Sequence, residues 1–334
     1  MPMRSVSMAA PPFPAVPRCA RSARRGRPAV PDLDSDSRLA SGESGGPPMI
    51  GLTGANGELG RRIARALAAA GTAELVLGTR NGVCEHAPDG ARVRAVDFSD
   101  PAGTRRAFEG VDELLLISTG ADVEEGIRQH RTAIDAAVDA GVRRIVYTSF
   151  IDCAADSPFP TAHVHAATEA ALAEAGASSG VEYLILRDGQ YMDRFVEFAP
   201  GAAASGELSL PIAPEAGASF ICRDDLAEFA ARALLTSSLT GVLTPTGSRV
   251  VSYAEATAAM SAATGAEIRF TPCDADDYRR ELQDAGWPAW KADSYTRFFE
   301  AVGEGRTSAV TGDFAALMGR EPRGVEEFVA AGLS

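Results

Sequence analysis

Lysine is almost missing from this sequence: Lys291 stands alone against 31 arginines in 334 residues. That scarcity excludes whole classes of site. A phosphate loop of the G-x-x-x-x-G-K-[ST] kind needs a lysine after a glycine, and no Gly-Lys pair exists. A Tyr-x-x-x-Lys catalytic dyad is excluded as well, because Trp287 stands four residues before Lys291. A Schiff-base mechanism would be left with Lys291 alone. Cysteine is also sparse. The five (Cys19, Cys84, Cys153, Cys222, Cys273) are odd in number, widely spread and without a C-x-x-C pair. They suggest neither a disulfide framework nor a zinc site, and they fit the reduced thiols of a cytoplasmic protein. Histidine occurs four times, and no acidic or Cys ligand joins His163 at helical spacing, so no metal is expected. A membrane span needs ~18 consecutive apolar residues, whereas the apolar runs here, such as Leu114–Ile117 and Val181–Leu186, are strand-sized. Positive charge is in short supply too. The net charge is −13, which disfavours nucleic acid and leaves a small molecule as the expected partner.

The charge that is present is unevenly placed. Residues 1–48 hold seven arginines and four acids, whereas residues 49–334 hold 25 basic residues and 41 acids. The first 48 residues are rich in Pro, Arg, Ser and Gly and have no apolar periodicity, so they are expected to form a disordered extension. An Arg- and Ser-rich targeting peptide is the alternative reading. From Met49 onward strand-like and helix-like runs alternate. Met49–Thr53, Glu74–Gly78, Val93–Val96, Val111–Ile117, Val142–Thr148 and Val181–Leu186 read as strands. Arg61–Ala70, Pro101–Phe108, Glu124–Ala140 and Ala162–Ala175 read as helices, the second with Asp100 as cap and Pro101 at its first position. Apolar strands alternating with helices predict an α/β fold: a doubly wound parallel sheet covered on both faces. After residue 187 the rhythm changes. Short Gly- and Pro-rich segments over Pro200–Pro214 precede a helix over Asp224–Leu235 and a strand over Val242–Thr244. Helices are then expected over Tyr253–Ala263, Asp274–Ala285, Pro288–Val302, Asp313–Gly319 and Val325–Ala331. This half reads as a smaller, mostly helical cap.

Four stretches carry chemistry. Gly54-Ala55-Asn56-Gly57-Glu58-Leu59-Gly60 follows the first strand and opens a helix. In that setting glycines permit a tight turn and close backbone approach, and the helix N-terminus offers unpaired N–H groups to a pyrophosphate. The second strand ends at Thr79-Arg80, where a carboxylate would accept a ribose 2′-hydroxyl; an arginine matches a 2′-phosphate instead, pointing to NADP(H). Asp97-Phe98 after the third strand is placed to flank an adenine, and Ser118-Thr119 after the fourth to line the cofactor channel. The third stretch is Tyr147-Thr148-Ser149, followed by His163-Val164-His165 entering a helix. Here Ser149 is expected beside the nicotinamide and His165 is a candidate acid, since imidazole titrates near neutrality. His130, in phase with Ile127 and Ile134, reads as a packed or hydrogen-bonded structural residue. The fourth is Arg187-Asp188-Gly189-Gln190-Tyr191, where Asp188 and Tyr191 are candidates to touch the nicotinamide ribose or the substrate.

On Ile50–Gly60, Arg80-Asn81, Val96–Asp100, Leu114–Ser118, Gln129–Ala136, Tyr147–Ser149, His165–Leu172 and Leu186–Tyr191, the chain resembles the NmrA-like group of atypical short-chain dehydrogenases/reductases, and within it the NADPH-dependent quinone reductases. The resemblance implies a Rossmann-type NADP-binding domain over 49–186, completed by parts of 215–250, and a mainly substrate-binding domain over 187–334. It implies Gly54–Gly60 on the pyrophosphate, Arg80 on the 2′-phosphate, Ser118 along the channel and His165 near the nicotinamide. The implied activity is hydride transfer from NADPH to a quinone or related aromatic carbonyl. Such an acceptor needs no Tyr-Lys dyad, and water or His165 can protonate the hydroquinone. A redox-sensing regulator that binds a protein, or a tailoring reductase of aromatic metabolites, are the alternatives, and a homodimer is left open. Two departures stand out. Relatives often have Thr-Glu-Lys where this chain has Thr168-Glu169-Ala170, and Asn where it has Asp188.

Overall fold

The structure, a computed structural model, describes residues 47–333; the extension expected to be disordered lies outside the described residues up to position 46. The chain runs β1 (Ile50–Leu52), α1 (Glu58–Ala69), β2 (Leu75–Thr79), β3 (Arg92–Ala95), α2 (Pro101–Phe108), β4 (Glu113–Ile117), α3 (Val123–Asp139), β5 (Arg144–Phe150), α4 (Ala162–Ser179) and β6 (Glu182–Asp188). These elements match the alternation read from the sequence. The strands are short and apolar because both faces are covered, and β1 and β2 are buried along their whole length. Asp100 caps α2 as expected, accepting the Gly103 N–H at 3.0 Å ahead of Pro101. The strands form one parallel sheet in the order β3-β2-β1-β4-β5-β6-β9, β9 being Gly241–Leu243. The order reverses between β1 and β4, and a crevice opens there at the carboxyl ends of the strands.

The remaining elements are α5 (Asp193–Ser205), β7 (Glu207–Leu210), β8 (Gly217–Ala218), α6 (Arg223–Leu235), β10 (Val251–Ser252), α7 (Tyr253–Thr264), β11 (Arg269–Pro272), α8 (Ala275–Asp284), α9 (Ala289–Gly303), α10 (Asp313–Met318) and α11 (Val325–Leu333). Two faces of the sheet make two cores, one with Leu52, Leu67 and Phe229, the other with Leu114, Tyr147 and Leu172. A third core, with Phe195, Met260 and Phe299, joins α5, α7 and α9 beyond the sheet. Two small two-stranded sheets, β7 with β11 and β8 with β10, were not expected in this half.

One expectation is corrected here. The segment from Pro200 was read as irregular, yet α5 runs through Pro200. A mid-helix proline costs ~3 kcal/mol through its missing N–H and its ring. Four residues of α5 repay it by burying an apolar face: Phe195, Phe198, Ala199 and Ala202. Each large buried side chain contributes ~1.5–3 kcal/mol.

Candidate functional site

The glycine turn shows why its sequence is what it is. Gly54 has φ +64°, a conformation that disfavours any side chain. Gly60 has an ordinary helical backbone, but a Cβ there would lie 2.2 Å from the Gly54 carbonyl oxygen. The glycines therefore let the turn fold back onto the first turn of α1. Gly57 caps α1 without any side-chain hydrogen bond to the helix N–H groups. Those donors face the crevice, which is the condition for holding an anion. Thr79 Oγ1, buried at the end of β2, also lacks a hydrogen-bond partner and lines the same crevice.

The crevice continues into one cleft of about 520 Å³. Its wall takes in Gly54, Gly57, Glu58, Leu59, Gly60, Arg80, Asp97, Phe98, Ser118, Thr119, Ser149, His165 and Tyr191. Thirteen of the fifteen residues singled out from the sequence thus meet in one place. Asn56 and Asp188 do not line it. Asn56 is exposed and its Nδ2 donates to the Val83 carbonyl at 2.9 Å, tying the glycine turn to the loop after β2. Asp188 lies behind Tyr191, whose hydroxyl donates to Asp188 Oδ2 at 3.1 Å. Burial pushes the Asp188 carboxyl up to about 8.

Polar side chains are held by specific partners. Glu58 is bonded by Arg61 and Arg62, each at 2.6 Å; burial opposes ionisation, but the guanidiniums win and its pKa is lowered. The Asp97 carboxylate accepts the Ser99 hydroxyl at 2.7 Å and the Ser99 N–H at 2.9 Å, and with Arg80 nearby its pKa is lowered. Ser149 donates to Glu169 at 2.6 Å, and Arg187 bonds the same carboxylate through two nitrogens.

Two histidines meet the Tyr147 ring, His130 at 5.7 Å and His165 at 5.8 Å between centres. The backbone N–H of Thr119 donates to His130 Nε2 at 2.9 Å, so the proton of His130 is on Nδ1. Nδ1 in turn donates to Thr168 Oγ1 at 2.7 Å, whose own hydroxyl donates to the Val164 carbonyl at 2.6 Å. His130 is 1% exposed and its pKa is lowered to about 3 by burial and by His165, in keeping with the structural role read from the sequence. His165 is 3% exposed and its Nδ1 lies 2.7 Å from the Tyr147 hydroxyl. Burial lowers its pKa to about 4, against a weaker upward pull from Glu169. The expectation of an imidazole titrating near neutrality is therefore corrected: His165 is neutral at pH 7 because desolvation outweighs its one nearby carboxylate.

The far half of the cleft was not foreseen. After β6, Gln190 donates through Nε2 to the Tyr253 hydroxyl, while its Oε1 has no partner. Then α5 supplies Arg194, Phe195 and Phe198, and α9 supplies Tyr295, Phe298 and Phe299, with Phe220 and Tyr253 between them. The rings meet mostly edge to face, for example Phe195 with Phe220 at 4.9 Å and Tyr295 with Phe299 at 5.4 Å. The spacing of Phe195/Phe198 and of Tyr295/Phe298/Phe299 was visible as helical periodicity. Core packing explains such spacing equally well, so only the tertiary arrangement marks it as a pocket wall. Among the described residues no group of three His, Cys, Asp or Glu is placed to hold a metal. No helix among them is long and apolar enough to cross a membrane.

Residues 54–237 match a family model described as NAD(P)H-binding. The chain is 32% identical over 249 residues to quinone oxidoreductase 2 of Escherichia coli, covering 73% of this chain and 85% of that protein. It is 30% identical over 248 residues to an NmrA-like family domain-containing oxidoreductase, flvB, of Aspergillus flavus, covering 70% and 77%. The crystal structure of the NADPH-dependent quinone oxidoreductase QOR2 of E. coli, complexed with NADPH, superposes with a TM-score of 0.78. That match has 29% identity and covers 86% of this chain and all of the other.

Proposed function

This chain belongs to the NAD(P)H-binding family and is an NAD(P)H-dependent oxidoreductase of the NmrA-like kind; on that premise we propose that it reduces quinones or related flat aromatic carbonyls and prefers NADPH. The observation that carries the reading is the single cleft, which joins a phosphate-accepting turn to an aromatic-lined pocket with His165 between them. The unpaired N–H groups of α1 and the orphaned Thr79 hydroxyl suit a dinucleotide pyrophosphate, so the residues present fit the cofactor. Gly54–Gly60 would hold the pyrophosphate, Arg80 the 2′-phosphate, Asp97 and Phe98 the adenine side, and Ser118, Thr119 and Ser149 the channel toward the nicotinamide. The cofactor, when bound, supplies a hydride, and a quinone that accepts it takes one further proton to become a hydroquinone.

The protein's part is orientation and exclusion of water. The Tyr147 hydroxyl is hydrogen-bonded to His165 Nδ1 at 2.7 Å and fixes the ring; with the hydroxyl as donor, His165 would carry its proton on Nε2 as a fixed donor. A neutral His165 positions an acceptor oxygen but does not surrender a proton at pH 7, so the second proton of the hydroquinone comes from solvent. A quinone tolerates this because its reduced oxygen is only weakly basic. Tyr191 is held between Asp188 and the Arg223 guanidinium, which lies 4.9 Å from its ring centre, and so shapes the wall rather than titrating. The test is an anaerobic assay of the full chain with NADPH, NADH and a quinone panel, following nicotinamide absorbance. Tight NADPH binding without any quinone-dependent oxidation would overturn this reading.

A further inference from the structure

Arg194 lines the aromatic end of the cleft, and the sole lysine lies behind that wall, one ring beyond Tyr295. Arg194 on α5 enters among the rings: its guanidinium lies 4.9 Å from the Phe198 ring centre and 5.9 Å from that of Tyr295. Lys291 covers Trp287 at 5.0 Å, and the Trp287 ring meets Tyr295 at 5.4 Å. Arg223 lines the same cleft. Two carboxylates answer Arg194 and Arg223. Glu197 pairs with Arg194 and also lies 3.6 Å from Arg223, while Asp193 is shared between Arg223 at 3.4 Å and Arg62 at 4.0 Å. The buried Nε of Arg194 has no hydrogen-bond partner. Of the charged side chains that line this end of the cleft, two are cations, Arg194 and Arg223, and one is a carboxylate, Glu197, in a chain whose net charge is −13.

We propose that the acceptor half of the cleft selects by charge: it takes planar aromatic acceptors that carry an anionic oxygen group, read by Arg194 with Lys291 in support, and it rejects cationic ones. A cation stacking in this pocket would compete with Arg194 for the Phe198 and Tyr295 ring faces and would meet its repulsion. An anion would lie along the pocket's aromatic wall and meet the Arg194 guanidinium, whose Nη2 makes a long bond of 3.5 Å to the Tyr295 hydroxyl, in surroundings where water screens little. The proposal rests on the reading of the cleft as a reductase site, and it names the class of acceptor.

The test compares 1,2-naphthoquinone with 1,2-naphthoquinone-4-sulfonate, with NADPH as reductant. The KM of the full chain should be at least about tenfold lower for the sulfonate, a factor that one well-placed charge supplies readily. Arg194→Met, which keeps the aliphatic stem, should abolish that preference while the NADPH Kd stays unchanged. Lys291→Met should reduce the preference about two- to threefold and serves if the first variant does not fold. Equal KM values for the two quinones, or an equal loss on both in Arg194→Met, would overturn the proposal and leave the quinone reading standing. If neither quinone is reduced, the quinone reading fails instead. Calorimetric binding of naphthalene-2-sulfonate against 2-naphthol to the NADP+ complex then decides: a tenfold preference lost in Arg194→Met supports charge selection, and no preference sinks it.

Discussion

Gly60→Ala separates local from tertiary physics, because the two predict opposite signs. Gly60 is the third residue of α1, where alanine is the better helix former by ~1 kcal/mol. Its backbone is ordinary, so no conformational strain opposes the change. Space does oppose it. The new Cβ would stand 2.2 Å from the Gly54 oxygen, 2.8 Å from its carbonyl carbon and 3.0 Å from Ala55 Cα, all of them backbone atoms. To reach ordinary contact the Gly54–Gly57 turn must recede by roughly an ångström, and overpacking of this kind costs ~1–3 kcal/mol. Net destabilisation of up to roughly 2 kcal/mol is expected, read as a lower urea midpoint with unchanged slope. The same displacement moves the turn away from the N–H donors meant for the pyrophosphate. Losing one hydrogen bond to a charged group costs ~1.5–3 kcal/mol, so the NADPH Kd should rise about 10- to 100-fold in a fluorescence titration. Gly71→Ala is the control: a Cβ there meets nothing within 4 Å but must adopt φ +79°. It should lower stability by ~1–2 kcal/mol and leave the NADPH Kd alone. A Gly60→Ala protein that is more stable than its parent and binds NADPH within about twofold would refute the reasoning, since helix propensity would then be the winning effect.

Further predictions follow from the same geometry. Arg80→Glu should weaken NADPH by at least about tenfold and barely change NADH; equal losses would show that Arg80 does not read the 2′-phosphate. His165→Ala should lower kcat while NADPH binding is retained, and the wild-type rate should show no histidine-like limb between pH 5 and 7, because His165 stays neutral down to about 4. Tyr147→Phe should reproduce part of that kcat loss by freeing the ring that its hydroxyl holds at 2.7 Å; an unchanged kcat would remove the pair from the mechanism. Stability should depend on pH in a specified way. His130 and His165 stay neutral in the fold, to about 3 and about 4, while the unfolded chain protonates them below ~6.5. Their contribution is therefore lost as pH falls from ~6.5 toward ~4. Asp188 is raised to about 8, so it keeps its proton in the fold and its contribution is lost as pH rises from ~4 toward 8. For these three groups the sum is greatest near pH 6.5. Asp188→Asn should remove the decline above that pH, and a decline that persists in the variant, measured by urea midpoints, would count against the burial of a protonated carboxyl.

The half of the cleft proposed to hold the cofactor was legible because its residues follow the ends of consecutive strands. Gly54–Gly60, Arg80, Asp97-Phe98 and Ser118-Thr119 follow β1, β2, β3 and β4 in turn. A parallel sheet carries all such ends to one edge, so an alternating sequence already implies that these residues converge. The acceptor half gave no comparable sign. Arg194 and Tyr295 are 101 positions apart, on α5 and α9, and meet at 3.5 Å only because both helices pack around a shared core. Asp188 ends β6 on the same edge as the others, but Tyr191 lines the cleft and its hydroxyl bonds the Asp188 carboxyl behind it, an arrangement the sequence does not show.

By itself the sequence determined the class of fold, the glycine-rich turn before α1 and the absence of a Tyr-Lys dyad, since periodicity, glycine spacing and the count of lysines are local or compositional facts. The tertiary structure alone decided the burial that keeps His165 neutral, the course of α5 through Pro200 and the placing of Lys291 over Trp287. Those outcomes depend on desolvation, burial and the summed field of charges distant in sequence. A one-dimensional pattern does not contain these quantities, because each is set by what the fold brings near.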